Sequence, residues 1–328
     1  MVIIELELQR NETLKAAYSD GTKRNLATHW EAYSKYCKLY QDSQLQATID
    51  SLSLFIQYLS NKLRSPGAIS NYLSGVKTMH IIHGFDTGMF DDFLIKMMLK
   101  GILVTKKYSP KKAAPITTDI LRDMYMRVDT TAPNDCTFWA LYVIAFFLLA
   151  RKSNLVPDTV AKFDASKQLT RGDIQVTKSS LVITLKWSKT NQTGRKETFP
   201  LIRNAGNPLC PVRAYQQMVA MFPADNDAPA FLLKKYGVIR TATYRQFQDH
   251  IKESIKRIGL DPTDYSSHSF RRGGATYAFQ CGLSPAMIKK LGDWKSDSYR
   301  EYIDFPVKDR IRAGKRIRRQ LNKEALVR

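Results

Sequence analysis

One uncharged apolar run, Phe138 to Ala150, sets the terms on which this chain can fold. It is too short to cross a bilayer, which takes about 20 apolar residues in helix, so it reads as a buried helix. A helix that is hydrophobic all round needs other elements packed about it. A chain of 328 residues can supply them, and that length suggests two domains, each with its own core. Directly after the run comes Ala150-Arg151-Lys152-Ser153-Asn154-Leu155. An arginine at the end of a buried helix either snorkels out of the core or is held there to do work.

The elements around that helix follow from periodicity. Residues from about 11 to 106 read as helix throughout. Thr22 to Tyr40 sets Leu26, Trp30, Tyr33, Cys37 and Tyr40 at spacings of three and four, one apolar face. Further helices fit Ser51 to Leu63 and Asp91 to about Lys100. Another opens at Ser65-Pro66, a cap followed by proline at the first helical position, and runs toward Gly84. Past Ile116, a helix capped by Thr117 or Thr118 extends to about Val128, and Pro133 to Ala150 forms the buried one. Gly172 to Val176, Leu181 to Trp187 and Glu197 to Leu201 read as three strands of a small antiparallel sheet. Ser188 to Lys196 makes a long, basic hairpin tip between the last two. Helix returns at Pro211 to Phe222, at Thr243 to Ile258 and beyond His268. The fold class is therefore mainly α with a small antiparallel sheet. Its parts are an all-helical domain over 1–107, a linker over 108–115, an α/β domain over 116–306 and a basic helix or tail over 307–328.

Charge narrows the partner. Lys and Arg number 51 against 30 Asp and Glu, a net +21 with an isoelectric point near 9.8. A folded chain this basic either binds a polyanion or tolerates strong self-repulsion, so nucleic acid leads, ahead of a ribosomal or membrane-surface role. Between Lys96 and Thr118 there are six lysines and no acid, and Tyr108 to Pro115 holds two prolines with little periodicity. That is an extended basic linker, suited to lie along a DNA backbone. Lys106, Lys107, Lys111 and Lys112 within it, Arg195 and Lys196 on the hairpin, and Arg272 are candidate phosphate contacts. Lys23, Arg24, Lys35, Lys38, Lys62, Arg64 and Lys77 suit the same role or an ordinary solvated face. From 307 to 328 nine basic residues face two acidic ones, with Ile311, Ile317 and Leu321 at roughly helical spacing. Such a segment binds DNA, docks on a neighbouring subunit or signals nuclear import, unless it is a frayed terminus.

Other classes fall away. Cys37, Cys136, Cys210 and Cys281 are scattered, with no CxxC or CxxH pair, and fit reduced thiols better than disulfides or a zinc site. His80 and His83 lie three apart but lack a third ligand, so no metal is expected. The N-terminus carries acids within its short apolar part and makes a poor signal peptide. A soluble, intracellular protein is the expectation, with no membrane or small-molecule partner.

The chemistry concentrates between His268 and Asp304, HSFRRGGATYAFQCGLSPAMIKKLGDWKSDSYREYID. Taken singly, His268 could be a helix-cap histidine, Arg271 a surface ion-pair partner, Trp294 core and Tyr302 a half-buried ring. The ordered set outweighs those readings: Arg151 after a buried helix, Lys189 in Trp-Ser-Lys-Thr on the hairpin, His268-x-x-Arg271, Leu-Gly-Asp-Trp, and a final tyrosine. This order resembles the tyrosine recombinase (phage integrase) family over nearly the whole chain. The Arg-Lys-Ser-Asn-Leu, Trp-Ser-Lys-Thr and Gly-Asp-Trp-Lys-Ser-Asp boxes look most like recombinases of eukaryotic DIRS and Crypton mobile elements.

The resemblance implies a helical core-binding domain and an α/β catalytic domain forming a C-shaped clamp on double-stranded DNA. It implies strand transfer through a 3′-phosphotyrosyl intermediate, without metal, ATP or other cofactor, by a homotetramer on synapsed sites. Two arginines, Arg151 and Arg271, suit charge developing on the phosphoryl oxygens because each is planar, permanently charged and bidentate. Tyr302 would be the nucleophile, His268 its proton acceptor, Lys189 the acid for the departing 5′-oxygen, and Trp294 an indole N–H donor to a phosphate oxygen. Three departures stand out. Asn154 replaces an acid three positions after the first arginine. Asp293 falls where many members have histidine, leaving Asp293 or Trp294 to face the phosphate, with Trp294 preferred. Tyr299 rivals Tyr302, which keeps the family spacing from Leu291. The eukaryotic likeness would place the protein in the nucleus, a phage or bacterial origin in the cytoplasm or nucleoid. The rivals are a domesticated DNA-binding protein that no longer cuts, a type IB topoisomerase and a basic RNA-binding scaffold. Retention of all six candidate residues speaks against the first, and the last leaves the ordered set unexplained.

Overall fold

The computed structural model describes residues 3–40, 43–188, 195–303 and, in the tail, 311, 314, 315, 318 and 319; Asn11 and Lys15 are described by backbone alone. The chain divides into two compact units, Met1–Lys111 and Lys112–Arg328. The first is helical: α1 (Ile3–Ala16), α2 (Asp20–Tyr40), α3 (Ile49–Lys62), α4 (Pro66–Ile82) and α5 (Phe93–Thr105). Its core gathers Tyr33 and Tyr36 from α2, Phe55 and Ile56 from α3, Ile69 and Val76 from α4, and Ile95 from α5. The cap read from sequence at Ser65 forms, accepting from Ala68 N, and Thr48, which the sequence reading did not single out, caps α3 by accepting from Ser51 N. Helix α1 was not anticipated. Its start, Ile4-Glu5-Leu6-Glu7-Leu8, alternates like a strand, and its apolar side chains stay exposed.

In the second unit α6 (Thr118–Tyr125) precedes the apolar helix α7 (Pro133–Phe147), and the four-residue α8 (Lys152–Leu155) follows it. Cys136 through Phe146 are all buried, as the uncharged run demands. The helix stops short of Ala150 because Leu149 turns left-handed, at φ 49°. That break frees the Leu149 carbonyl, which the site uses. A 3₁₀ turn over Arg171–Asp173 leads into β1 (Ile174–Val176), so the first strand starts two residues later than its sequence suggests. It pairs antiparallel with β2 (Ser180–Leu185), which pairs with β3 (Glu197–Ile202) in the order β1-β2-β3. Ile183 faces Phe199 and Leu181 faces Leu201, so one side of the sheet enters the core. Pro200 is tolerated because β3 is an edge.

After α9 (Pro211–Met221) comes a hairpin that periodicity did not show, β4 (Leu232–Lys235) and β5 (Val238–Thr241). Tyr236 and Gly237 close it with φ of 52° and 78°, the two positive values of a type I′ turn. Helices α10 (Tyr244–Arg257), α11 (Ser267–Gln280) and α12 (Pro285–Leu291) complete the unit, and a 3₁₀ turn spans Asp297–Glu301. The later part of the expected linker packs here: Ala114 N donates to Asp264 O at 2.7 Å and Ile116 N to Ser269 O at 3.0 Å. No helix among the described residues is long and apolar enough to cross a membrane. Ile317, Leu321 and most of the basic tail lie outside the described residues.

Candidate active site

Helix α11 opens on a capping box, with His268 N donating to Ser266 Oγ at 3.3 Å and Ser266 N to Ser269 Oγ at 3.0 Å. With the first turn fixed, helical spacing sends His268 outward and Phe270 and Arg271 inward. Two glycines then let the helix settle. A Cβ on Gly273 would lie 1.8 Å from Ile116 O, and one on Gly274 2.1 Å from Phe146 O. No other residue fits against those two backbones.

Arg271 is only 2% exposed. Its Nη1 donates to the Leu149 carbonyl freed by the end of α7, and its Nη2 to Gly292 O at 2.6 Å. The guanidinium carbon lies 3.8 Å from the Trp294 ring centroid and 5.4 Å from that of Tyr302. A desolvated cation over an indole contributes about 2 kcal/mol, which with the two hydrogen bonds offsets the cost of burial. Burial first, then the charge of Arg151, draws the guanidinium below its ordinary pKa, yet it remains a cation at neutral pH. Its buried Nε has no protein partner.

Arg151 is held from the opposite side of the same turn. Nη1 donates to Asp293 Oδ2 and Nη2 to Asp293 O, each at 3.1 Å. Asp293 itself is left-handed, at φ 50°. Its Oδ2 also accepts from Ser188 Oγ at 2.5 Å. Asn154, buried, donates Nδ2 to Trp187 O at 2.7 Å, so the residue in the expected acidic position ties the Arg151 segment to the hairpin base. Trp294 is 6% exposed, its ring packed over Arg271 and 5.3 Å from Tyr302. A Cβ on Gly292 would lie 1.7 Å from the indole, so glycine there is a packing requirement.

Tyr302 is half-buried, with its ring centroid 6.5 Å from that of His268. Its backbone is fixed by Tyr302 N to Tyr299 O at 2.9 Å and by Thr276 Oγ1 to Tyr302 O at 3.3 Å. Tyr299 is 4% exposed and packs with Leu149, Ala275, Ile288 and Trp294. Tyr299 lies within the 3₁₀ turn and Tyr302 caps its end, with Tyr299 buried in this cluster and Tyr302 half-buried beside Arg271 and His268. Desolvation, followed by the charges of Arg271, Lys152 and Arg151, lowers the His268 pKa, so the ring is neutral at pH 7 and able to take a proton.

Arg151, His268, Arg271, Trp294 and Tyr302 thus come together within one unit. Lys189 lies outside the described residues, although Ser188, its neighbour in sequence, donates into the cluster. Arg195 and Lys196 are exposed at the far side of the hairpin tip. Lys106 caps Ser60 O at 2.5 Å, and Lys107 and Lys111 are exposed. Lys112 forms an ion pair with Glu301, whose carboxyl is held below its usual range first by Lys112 and then by Arg272. Lys112 and Arg272 therefore flank the segment that carries Tyr302. Sequence reasoning missed Asp293 and Ser188 as partners of Arg151, and Lys152 as a charge beside His268. No group of three His, Cys, Asp or Glu residues that could hold a metal occurs among the described residues.

Two converging arginines with a tyrosine at their edge, set on a mostly helical frame with this small sheet, form a site able to grip and attack a phosphate diester, and the chain is similar in sequence to an integrase/recombinase. No family model matches it. Among curated proteins it is 22% identical over 303 residues to an integrase/recombinase XerD homolog of Selenomonas ruminantium, covering 89% of this chain and 83% of that one. Solved structures share the fold. The Tn1549 transposon integrase in complex with transposon right end DNA matches at TM-score 0.61 and 14% identity, over 94% of this chain and 97% of that one. The XerH site-specific recombinase bound to palindromic difH substrate matches at 0.59 and 16%, over 87% and 75%. A lambda integrase dimer bound to a COC' core site matches at 0.55 and 15%, over 90% and 94%.

Proposed function

We propose that this chain is a site-specific recombinase that cuts and rejoins double-stranded DNA through a 3′-phosphotyrosyl ester. The observation that carries the reading is the position of Tyr302, half-buried beside Arg271, Trp294 and His268, with Arg151 on the same Gly-Asp-Trp turn. In the cutting step Tyr302 Oη attacks the scissile phosphorus and its proton passes to neutral His268. The bond from phosphorus to the 5′-oxygen breaks, and Lys189 protonates that oxygen. Arg151 and Arg271 neutralise the charge gathering on the non-bridging oxygens, where a fixed cation in a dry site acts most strongly. Trp294 packs Arg271 in place, with its N–H available to the phosphate. Because the tyrosyl ester conserves the bond, a second 5′-hydroxyl reseals it by the reverse path, with no nucleotide cofactor in the scheme.

The finer reading is a recombinase of a mobile element, of the eukaryotic DIRS or Crypton kind, acting in the nucleus as a homotetramer on two synapsed sites. Its support is the sequence of the Arg-Lys-Ser-Asn-Leu and Gly-Asp-Trp-Lys-Ser-Asp boxes and the basic tail. Covalent trapping tests the reaction. A duplex recovered by selection from random-sequence DNA is nicked so that the leaving strand diffuses away, and a denaturing gel is read for a protein–DNA adduct. The adduct should form with the parent and with Tyr299→Phe and vanish in Tyr302→Phe. A parent that binds tightly but never forms an adduct would instead be a DNA-binding protein descended from such an enzyme. An adduct accompanied by relaxation but no joining of two sites would point to a topoisomerase.

A further inference from the structure

We propose that Asp293 is a positioning residue of this site, setting Arg151 on one side and the base of the Lys189-bearing hairpin on the other; this rests on the recombinase reading above. The geometry is specific. One residue gives Arg151 both its carboxylate and its carbonyl, each at 3.1 Å, so two guanidinium nitrogens are fixed at once. That leaves the cation no freedom to turn about its Nε–Cζ bond, while its remaining N–H groups stay available to an oxyanion. The same carboxylate oxygen accepts from Ser188, the residue before Lys189. Both proton donors to Oδ2 therefore meet at one atom, and a shift of the hairpin base is felt at Arg151.

The left-handed backbone of Asp293 makes this possible. Turning there sends the Asp293 side chain toward Arg151 and the Trp294 ring over Arg271, while the Gly292 carbonyl takes Arg271 Nη2. Three consecutive residues hold both arginines. Asn154 leaves the Arg151 segment without the acid expected three positions on, and its amide is used on Trp187 O instead. Asp293 supplies the missing carboxylate from the opposite side. Its side chain is 18% exposed against 19% for Arg151, so the pair is partly desolvated and oriented more firmly than a surface ion pair.

The test uses Asp293→Gly and Asp293→Asn, because glycine and asparagine both adopt positive φ readily and keep the turn, together with Ser188→Ala. In the free protein, ¹⁵N NMR reads rotation about the Arg151 Nε–Cζ bond, assigned by comparison with Arg151→Lys. Rotation should be slow in the parent, fast in Asp293→Gly and intermediate in Asp293→Asn. On the nicked selected duplex, Asp293→Gly should slow adduct formation by about 10²-fold, the scale of a misplaced catalytic group, with affinity for the DNA changed less than about threefold. Asp293→Asn should recover part of the rate. Ser188→Ala should slow the parent but add nothing in the Asp293→Gly background, since both act through one carboxylate. Unchanged Arg151 rotation in Asp293→Gly overturns the proposal, as does an unchanged adduct rate. If the parent forms no adduct on selected DNA, the recombinase reading fails and the rotation measurement alone decides whether Asp293 fixes Arg151.

Discussion

His268 works in the company of three cations, Arg271, Lys152 and Arg151, each of which opposes its protonation. As the base of the proposed cutting step it would have to be neutral, so activity should be lost as pH falls through its pKa. With that pKa held below the ordinary 6.5, the acid limb of the rate of adduct formation should lie below the unperturbed imidazole range. Lys152→Gln removes one of the three charges. The limb should then move toward higher pH, as read from adduct rate against pH. A limb that does not move would mean His268 is not the group titrating. At this scale the sequence named residues that the fold gathers into one cluster and was silent about their partners. His268-x-x-Arg271 and Tyr302 declare themselves by type and spacing. Asp293 does not, because its meaning depends on a left-handed φ and on Arg151, far away in the chain. Asn154 was noticed as a departure, but only the fold shows that its amide serves Trp187.

At the scale of elements, the crossing of α11 with α7 decides whether Arg271 reaches its place. In an exposed helix, replacing glycine by alanine stabilises by up to about 1 kcal/mol. At Gly273 and Gly274 the sign reverses, since the added methyl would meet the backbone oxygens of Ile116 and Phe146. Gly273→Ala and Gly274→Ala should each destabilise by about 1–3 kcal/mol, the usual cost of overpacking, as measured by chemical denaturation. A stabilised variant would show that the helix is not held by this contact. The apolar run made α7 legible, and Ser65 and the alternating strands made their elements legible, because local chemistry alone specifies them. The end of α7 was not, since Leu149 adopts a left-handed conformation that only the surrounding structure imposes. The β4–β5 hairpin escaped for a similar reason. Its strands are four residues each, and tyrosine occupies a turn position where asparagine or aspartate usually signals the bend.

At the scale of the whole molecule, +21 of net charge sets how the chain meets its target. Each phosphate neutralised by lysine or arginine releases counterions, so affinity should fall steeply with salt. Raising NaCl from about 50 to about 200 mM should weaken binding to the selected duplex by roughly 10³-fold or more if six or more phosphates are contacted. A shallow dependence, read by fluorescence anisotropy, would place the excess charge outside the DNA interface. Net charge was plain in the composition, whereas its distribution was not: Lys112 is engaged by Glu301 and Lys106 by Ser60 O. The cysteines carry a different consequence. Cys37, Cys136 and Cys210 are buried, and Cys281, which caps the C-terminal end of α11, is exposed. A maleimide dye added to the folded chain would therefore attach at one position, on the helix that bears His268 and Arg271. The native sequence thus provides a built-in optical probe of that helix, with no engineered cysteine needed.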